Sequence, residues 1–387
     1  MKILFLTSRF PYPLEKGDKL RAFNFIKCLS QHHEVHLFAI SEYPVSRDME
    51  IQLSPYCSSI EVALLKRHQI AINLLKACFN GLPFQVSYFT FSEAKNLFAQ
   101  KVDMLKPDII FCHLIRVAEL VKNISHPCKI LDYMDTFSMG MLRRYVFDKS
   151  PLQWLWKWEY QKLIRYERDI FFHFQKHIII SEQDKNLLRI ENKNSVTVVP
   201  NGVNFNDRKN VAKVYDVIFA GNMSYLPNID AVLFLVNNVM PLVWEKIPYA
   251  KVVIAGANPA RKVKKLACEK VEVTGWVEDI NYYFMKSKIL VAPMRTGIGL
   301  QNKLLEAMSA GLPCITSELA NSALRAERGK HILVADKPWE YAEAIVNLLE
   351  NSELYQSISA EGYRFVLEKY SWHKICYQLN EVINTIQ

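Results

Sequence analysis

The sequence predicts an α/β protein made of two Rossmann-like, doubly wound domains. Three observations indicate this: a length of 387 residues, short β-branched runs that alternate with longer helical patterns, and a series of strands that restarts about halfway. A chain of this length suits two domains of roughly 150 to 200 residues. Strands separated by helix-length segments are typical of parallel sheets with crossover helices.

The first series of strands and helices lies within residues 1–199. Its predicted strands are KILFLT, EVHLFAI, SIEVAL, PDIIFCH, KILDY, HIIIS and SVTVVP. Helical patterns cover residues 18–31, 66–79 and 152–175. Ser181 is a good N-cap with an acidic residue three positions later, so we expect a helix to begin there.

The second series occupies residues 200–371, with predicted strands VYDVIFA, AKVVIAGA, VEVTG, KILVAPM, PCIT and HILVA. The stretch VVPNGVNFNDRKN separates the two series, because it combines a proline, an Asn-Gly turn and polar residues. Helical segments at 337–350, 352–368 and 372–386 close the sequence. The last of them, about 372–387, is the candidate for packing back onto the first domain.

The charge of the chain is uneven. The formal net charge is +9, and residues 1–195 hold 27 Lys and Arg against 20 Asp and Glu, which gives 27 − 20 = +7. This excess predicts an acidic partner for the first half, either an anionic membrane surface or a phosphate-bearing acceptor. A solvated basic face is the alternative.

Cysteine usage and the opening segment favour a cytoplasmic protein. The eight cysteines are scattered without a C-x-x-C pair, so we expect small core hydrophobes in a reducing compartment and neither a disulfide framework nor a zinc site. The apolar run in MKILFLTSRFPYP is too short for a signal peptide or a membrane span and is predicted to be a buried strand.

The loop after the first strand is a candidate anion site. In TSRFPYPLEKGDKLRAF, Gly17 precedes Asp18, Lys19 and Arg21 at the entry to a helix. Unpaired N–H groups at a helix start, reinforced by basic side chains, bind anions. Alternatively, Asp18 is an ordinary N-cap with solvated basic neighbours. The G-x-G-x-x-G dinucleotide motif is absent.

Two glycine turns follow strands of the second domain. Gly221 and Asn222 come directly after VYDVIFA, where glycine allows a ligand to approach the backbone closely. In VTGWVED, the backbone of Gly275, Trp276 and Val277 is a candidate contact for a nucleobase edge. For Trp276 itself, a place in the core is the favoured interpretation.

The segment TGIGLQNKLLEAMSAGLPCITSELA, residues 296–320, is the most informative. After the strand KILVAPM, a helix is predicted from about Leu300, and we expect the N–H groups of Gly299, Leu300 and Gln301 to point at a bound phosphate. Arg295 and Lys303 add positive charge at the same point.

Glu306 lies one helical turn beyond Lys303, on the same face. A carboxylate in this position accepts the two hydroxyls of a ribose, as the acidic residue of nucleotide-binding folds does. The alternative is a surface ion pair between Lys303 and Glu306, which contributes little stability.

Several segments resemble the family-4 retaining glycosyltransferases of the GT-B fold: VVPNGVN, VIFAGNMSYLPNIDA, VVIAGANP, VTGWVEDI, GIGLQNKLLEAMSAGLPCITSELA and EKYSW. The resemblance spans nearly the whole chain and is denser in the second domain. The family motif has two glutamates separated by seven residues; Glu306 matches the second, whereas Ile298 stands at the first. Lys303 matches a branch with a lysine three residues before the retained glutamate. The chain thus resembles a variant branch that lacks the glutamate contacting the transferred sugar.

The resemblance also implies roles for residues of the first domain. Gly17 lies where the family's glycine-rich loop faces the donor phosphates, with Arg21 nearby. Relatives often carry a histidine near the sugar in the loop where this chain has Asp135, with Asp132 on the preceding strand. Both aspartates are alternatively helix caps. His113, which ends DIIFCH, is a second catalytic candidate, and a structural role is its alternative.

The function implied is transfer of a sugar from a UDP-, GDP- or ADP-linked donor to a glycan or lipid-linked acceptor, with retention at the anomeric carbon. Fixed amides, Arg295 and Lys303 would stabilise the departing diphosphate. No D-x-D motif is present, so neither metal nor other cofactor is expected, and no nucleic acid partner is implied. A GT-B nucleotide-sugar epimerase and a non-catalytic GT-B partner protein are the alternatives.

Residues 142–176 mix tryptophans at successive even positions with basic residues. Basic aromatic helices of this kind rest on anionic membranes, which would place the protein at the inner face of the membrane. Because the tryptophans point around the helix, a packed helix is the favoured interpretation.

Overall fold

A computed structural model describes residues 1–147, 150–205, 211–296 and 299–385. The chain forms two compact units: Met1–Pro200 together with the residues from Ile375 on, and Asn201–Lys374. Each unit is an α/β domain built on one parallel sheet.

The first unit contains a seven-stranded sheet in the order β3-β2-β1-β4-β5-β6-β7, and every neighbouring pair is parallel. Its strands are β1 Lys2–Thr7, β2 Glu34–Ser41, β3 Ser59–Leu64, β4 Ile109–His113, β5 Lys129–Asp132, β6 Lys176–Ile179 and β7 Val196–Val198. The central strands are apolar almost throughout and buried, as expected for a parallel sheet covered on both faces.

The described residues of the first unit form α-helices that connect or flank these strands: α1 Gly17–Leu29, α2 Arg47–Leu53, α3 Arg67–Ala77, α4 Phe84–Tyr88, α5 Ser92–Leu105, α6 Ala118–Val121, α7 Phe137–Phe147, α8 Gln153–Phe171 and α9 Glu182–Leu187. The Ser181 hydroxyl accepts a hydrogen bond from the backbone N–H of Asp184, so the predicted N-cap of α9 is confirmed. In α8, the side chains of Glu159, Lys162 and Glu167 are buried, which agrees with the packed-helix interpretation of residues 142–176.

The second unit contains a six-stranded parallel sheet in the order β10-β9-β8-β11-β12-β13. Its strands are β8 Tyr215–Ala220, β9 Val252–Ala255, β10 Val271–Gly275, β11 Ser287–Ala292, β12 Cys314–Thr316 and β13 Leu333–Val334. The helices are α10 Leu226–Phe234, α11 Met240–Lys246, α12 Arg261–Lys264, α13 Ile280–Lys286, α14 Asn302–Ser309, α15 Glu318–Leu324, α16 Pro338–Glu350 and α17 Ser352–Tyr370, followed by α18 Trp372–Asn384 at the end of the chain.

Every segment predicted to be a strand contains one, and the two-domain α/β fold class is confirmed. The continuous helical stretch Leu226–Lys246, which includes α10 and α11, has the length and hydropathy of a membrane span. More than half of its apolar window is buried inside the protein, at 56%. That burial is typical of a core helix.

The strand order reverses once in each sheet, between β1 and β4 in the first unit and between β8 and β11 in the second. Ligands of doubly wound sheets bind beyond the carboxyl ends of the strands at this reversal. The loops that follow β1, β4, β8 and β11 are therefore where each unit is expected to carry its functional side chains.

The expectation for the cysteines was wrong for one pair. Cys28 in α1 and Cys376 in α18 form a disulfide, with Cα atoms 5.2 Å apart. They are 348 residues apart in sequence, so only tertiary packing brings them together. Cys112, Cys128 and Cys314 are buried thiols, as predicted.

Candidate functional site

The loop after β8 is the first component of the site in the second unit. Gly221 has a φ of +151°, and a Cβ at this position would lie 2.8 Å from the side-chain nitrogen of Asn228. Both the backbone conformation and the close approach therefore require glycine. The adjacent Asn222 backbone is fixed by the same side chain, because Asn228 Nδ2 donates to the Asn222 carbonyl at 2.9 Å.

Asn228, in α10, links this loop to the start of α14. Its side-chain oxygen accepts a hydrogen bond of 2.7 Å from the Lys303 ammonium, while its nitrogen holds the Asn222 carbonyl. Asn228 itself is 6% exposed. One buried amide thus orients both the glycine turn and the lysine.

Lys303 is a desolvated cation near the beginning of α14. It is 8% exposed, and its ammonium lies 4.7 Å from the centre of the Phe219 ring. Burial lowers the pKa of Lys303 to about 7, and the charge of Glu306 opposes that shift. The neighbours that contact the ammonium are neutral, so the positive charge is not cancelled by a direct ion pair within the described residues.

Glu306 lies one turn further along α14, half-buried. Burial raises the pKa of its carboxyl above the ordinary value, while Lys303 acts in the opposite direction. In the described parts of the chain, its carboxylate forms neither a hydrogen bond nor an ion pair within 4 Å. The predicted alternative, a surface ion pair between Lys303 and Glu306, therefore differs from the structure, in which Lys303 is buried and donates to Asn228.

The turn into α14 contains Gly299, at a φ of +76°, which favours glycine. The helix begins at Asn302, two residues later than predicted, and its N-cap Gln301 makes no side-chain cap. Among the described residues, no N-cap side chain therefore bonds to the first N–H groups of α14. Leu300 is buried, and Ile298, the position of the missing glutamate, lies outside the described residues.

The Arg295 guanidinium, which the sequence suggested as a phosphate contact, forms an ion pair in this structure. Its guanidinium donates to both carboxylate oxygens of Asp230, at 3.1 and 2.5 Å, and stacks over the Phe234 ring. The pair is half-exposed. Its charge is therefore already neutralised on the surface of α10.

Trp276 follows the last residue of β10 and is 65% exposed. The prediction that favoured a core position for this indole was wrong. Gly275 has a φ of +75°, and a Cβ there would meet no atom within 4 Å among the described residues. The turn through Gly275, Trp276 and Val277 thus presents an open backbone and an exposed ring.

In the first unit, the carboxyl ends of β4 and β5 carry a buried charged network. Arg21 donates to both carboxylate oxygens of Asp132, at 2.8 and 3.0 Å, and neither side chain is exposed. His113 Nδ1 lies 2.9 Å from Asp132, and its Nε2 lies 3.0 Å from the Asp18 carbonyl oxygen. Both partners of the ring are acceptors, and the tautomer decides which ring nitrogen donates.

The members of this network contact one another, whereas the sequence suggested roles for them in donor binding and catalysis. Burial opposes ionisation of Asp132, yet the Arg21 guanidinium and the hydrogen bond from His113 hold its pKa well below the usual range. Arg21 is fully buried and engaged with Asp132, whereas the sequence suggested a donor phosphate as its partner. Through His113, the network holds the first turn of α1 in place.

The glycine loop of the first unit is arranged around Asp18. Helix α1 begins at Gly17, and Lys16 occupies the N-cap, so the interpretation of Asp18 as N-cap was wrong. The Asp18 carboxylate instead accepts from Arg9 at 2.5 Å and lies 3.7 Å from Arg116. Burial raises the pKa of Asp18, but the charges of Arg9 and Arg116 outweigh this effect and keep the pKa below its ordinary value.

Asp135 lies in the loop after β5, and its buried Oδ1 has no hydrogen-bond partner among the described residues. Burial, followed by the charge of Asp184, raises the pKa of Asp135 to about 7. A carboxyl in that range exchanges a proton near neutral pH. The helix-cap alternative has no support, since no cap is formed by this side chain in the described residues.

Sequence reasoning missed Asn228, Asp230 and Arg9. Asn228 was visible in the segment NMSYLPNIDA, six residues after the Asn222 that it holds. Its role depends on a contact across 75 residues, which no local pattern displays. Within the described residues, no group of three or more His, Cys, Asp or Glu is arranged to hold a metal ion.

Comparison with known proteins is consistent with this geometry. Residues 214–351 match the family model described as "Glycosyl transferases group 1", which covers most of the second unit. The chain is 21% identical, over 395 residues and 97% of both chains, to the "Uncharacterized 44.6 kDa protein in cps region" of Klebsiella pneumoniae.

Solved structures show the same architecture. Anabaena HepE in complex with UDP superposes with a TM-score of 0.71 at 14% identity and covers 100% of both chains. Sucrose-phosphate synthase from Thermosynechococcus elongatus gives a TM-score of 0.72 at 14% identity, over 100% of this chain and 99% of that one. The chain therefore has the GT-B fold, and its residues 214–351 carry the match to the glycosyl transferases group 1 family.

Proposed function

We propose that the protein is a retaining glycosyltransferase that moves a sugar from a nucleotide-sugar donor to a glycan or lipid-linked acceptor. The observation that carries this proposal is the buried Lys303 at the start of α14, whose ammonium contacts neutral groups and lies beside an unpaired Glu306. A desolvated cation without a bound counterion is suited to binding an anion.

The donor diphosphate is the anion that fits this position. When the bond to the sugar breaks, negative charge develops on the leaving phosphate oxygen, and Lys303 with the uncapped first turn of α14 stabilises that charge. Backbone N–H groups of Gly299, Leu300 and Gln301 complete the phosphate site in this proposal. Glu306 accepts the ribose hydroxyls of the nucleoside.

The nucleobase is proposed to lie at the turn after β10. The exposed Trp276 ring and the open backbone of Gly275 and Val277 offer stacking and hydrogen bonds. Gly221 and Asn222 contact the donor from the loop after β8. The donor is UDP-, GDP- or ADP-linked, and the UDP bound to Anabaena HepE makes UDP the first to test.

The first unit is proposed to bind the acceptor. Asp135 is the candidate that orients an acceptor or sugar hydroxyl, since its buried oxygen lacks a partner. His113 and Arg21 act here as positioning residues for the first turn of α1, because the polar groups of both side chains are already engaged. A place at the cytoplasmic face of a membrane suits a lipid-linked acceptor.

Thermal unfolding with UDP, GDP, ADP and their sugars tests donor binding. A ligand that binds only the folded protein at 100 times its Kd stabilises it by about 2.7 kcal/mol, so one of these nucleotides is expected to raise Tm clearly. Lys303→Ala and Glu306→Ala should each reduce that rise. Lys265→Ala and Glu343→Ala, at exposed positions of the same unit, are the matched controls.

Equal shifts in the site variants and the controls would exclude the proposed site. Product analysis with the identified donor then separates the reaction types. Transfer to a glycan acceptor supports the glycosyltransferase, whereas interconversion of the donor alone would identify an epimerase. Nucleotide binding without either product would indicate a non-catalytic partner protein.

A further inference from the structure

The outward face of α3 in the first unit carries an apolar stripe that the proposed chemistry does not use. Ile72, Leu75 and the following Phe79 are 50%, 65% and 85% exposed. Their spacing places Ile72 and Leu75 on one side of α3, and Phe79 follows two residues after the helix ends. The opposite side packs inward through Ile70, Asn73 and Ala77.

The stripe lies in a strongly basic part of the sequence. Residues 62–92 contain Lys66, Arg67 and Lys76 and no aspartate or glutamate. On α3, Arg67 and Lys76 are exposed and flank the apolar stripe on its two sides. A helix with an exposed apolar centre and basic margins matches an anionic bilayer surface, where apolar side chains enter the acyl boundary and cations meet the headgroups.

Helix α8 contacts the loop that follows α3 and carries an exposed tryptophan. Lys162 of α8 donates to the carbonyl oxygens of Ala77 and Leu82, and Trp158 packs edge to face on Phe84. The loop after α3 is therefore fixed against α8. Trp154, one turn before Trp158, is 62% exposed, and tryptophan is favoured at membrane interfaces.

We propose that the α3 face, defined by Ile72, Leu75, Lys76 and Phe79, docks the first unit onto an anionic lipid bilayer. The helix has 11 residues, which is too short to span a bilayer and long enough to lie in its interface. This surface differs from the donor site in the second unit, so it is testable whether or not the proposed chemistry is correct.

Vesicle co-sedimentation of the full chain tests the proposal. With phosphatidylcholine vesicles containing phosphatidylglycerol, we expect binding that weakens with salt and that is at least tenfold weaker on pure phosphatidylcholine. Leu75→Ser/Phe79→Ser and Lys76→Glu should each weaken binding at least tenfold. Met104→Ser, an 83% exposed position on α5, and Lys262→Glu, an exposed position in the second unit, are controls that should bind as the unchanged protein does.

Two exposed thiols provide an independent measurement. Cys78 adjoins the α3 face, whereas Cys268 lies in the second unit. An environment-sensitive dye on Cys78, in a Cys268→Ser background, should shift to the blue when anionic vesicles are added. The same dye on Cys268, in a Cys78→Ser background, should not shift.

Three results would overturn the proposal. These are absence of vesicle binding by the unchanged protein, equal binding by the double-serine variant, and a blue shift of the dye at both thiols alike. A concentration-dependent dimer that Leu75→Ser/Phe79→Ser dissociates, without vesicle binding, would assign the α3 face to a second copy of the chain. The nucleotide-induced Tm shift of each variant reports separately on the donor site.

Discussion

Charged side chains lie near the point where the strand order reverses in each sheet. In the first unit they form an ion pair, whereas in the second unit Lys303 and Glu306 make no direct ion pair among the described residues. In the first unit, Arg21 and Asp132 form a fully buried, doubly hydrogen-bonded pair that His113 completes. In the second unit, Lys303 is buried against neutral groups, and Glu306 remains unpaired among the described residues. The pKa shifts agree with this contrast. Pairing lowers the pKa of Asp132, whereas burial lowers the pKa of Lys303 and raises the pKa of Glu306.

This difference indicates that the charges of the first unit stabilise the fold and that those of the second unit are suited to binding a ligand. In a buried ion pair with complete hydrogen bonds, each charge compensates the other. Neither side chain is then available to bind a ligand. A buried charge without an opposite charge destabilises the free protein, and a ligand of opposite charge removes that penalty. We therefore expect substitutions in the first network to affect folding and substitutions in the second to affect binding.

The largest effect is expected from breaking the buried pair. Arg21→Met leaves the Asp132 carboxylate buried without its cation and should destabilise the first unit by about 3–5 kcal/mol. Urea unfolding, followed by a signal from the first unit, measures this loss. Arg21→Met/Asp132→Leu should recover part of it, because the double variant leaves no uncompensated charge at this pair. A loss below about 1 kcal/mol in the single variant would contradict the structural role.

The next effect concerns pH. Burial lowers the pKa of Lys303 from 10.5 to about 7, so the unfolded chain binds this proton more tightly than the folded protein does. The contribution of Lys303 to the free energy of unfolding therefore rises with pH between those two values. Donor binding has the opposite dependence, since a diphosphate requires the ammonium form. UDP affinity should fall from pH 7.5 to 9.5 by up to about tenfold per unit.

Calorimetric titration with UDP over this pH range measures the effect, and the terminal phosphate, with a pKa near 6, stays ionised throughout. Lys303→Arg keeps its charge at every pH in the range and should abolish the dependence. A flat affinity profile in the unchanged protein would show that the lysine proton takes no part in binding.

A smaller effect is expected at Asn228, which bonds to both the Asn222 carbonyl and Lys303 in the proposed donor site. Asn228→Ala frees both Lys303 and the Asn222 carbonyl, and loss of two buried hydrogen bonds should weaken UDP binding by about 1–2 kcal/mol. Asn228→Asp keeps the acceptor for Lys303 and should raise the lysine pKa, which moves the pH profile of UDP affinity to higher pH. An unchanged profile would remove Asn228 from the site.

The smallest effect is expected from Arg295→Ala. The Arg295–Asp230 pair is half-exposed, and such surface pairs contribute about 0–1 kcal/mol to stability. Because its guanidinium is engaged with Asp230, UDP affinity should change less than threefold. A loss of tenfold or more, measured in the same titration, would restore the sequence-based expectation that Arg295 binds the phosphate.

For the proposed donor site, the sequence indicated the candidate residues more clearly than it indicated their burial and pairing. Gly299, Lys303 and Glu306 were recognisable because a strand, a glycine turn and a helix follow one another within one segment. The burial of Lys303 was not recognisable from the sequence, because it depends on Phe219 and Asn228. These residues lie 84 and 75 positions away in the chain. Likewise, Arg21 and Asp132 are 111 residues apart, and their pairing arises only from packing of α1 against the ends of β4 and β5.

By itself, the sequence determined the two parallel α/β units and the position of each strand. Apolar β-branched runs and helical spacing are local properties, and the right-handed crossover leaves few ways to connect them. Only the tertiary structure decided which charged side chains are paired, which are desolvated, that Cys28 meets Cys376 and that Trp276 is exposed. These outcomes depend on distances between residues far apart in the chain, and the free energy of a charge is set by the groups around it and not by its neighbours in sequence.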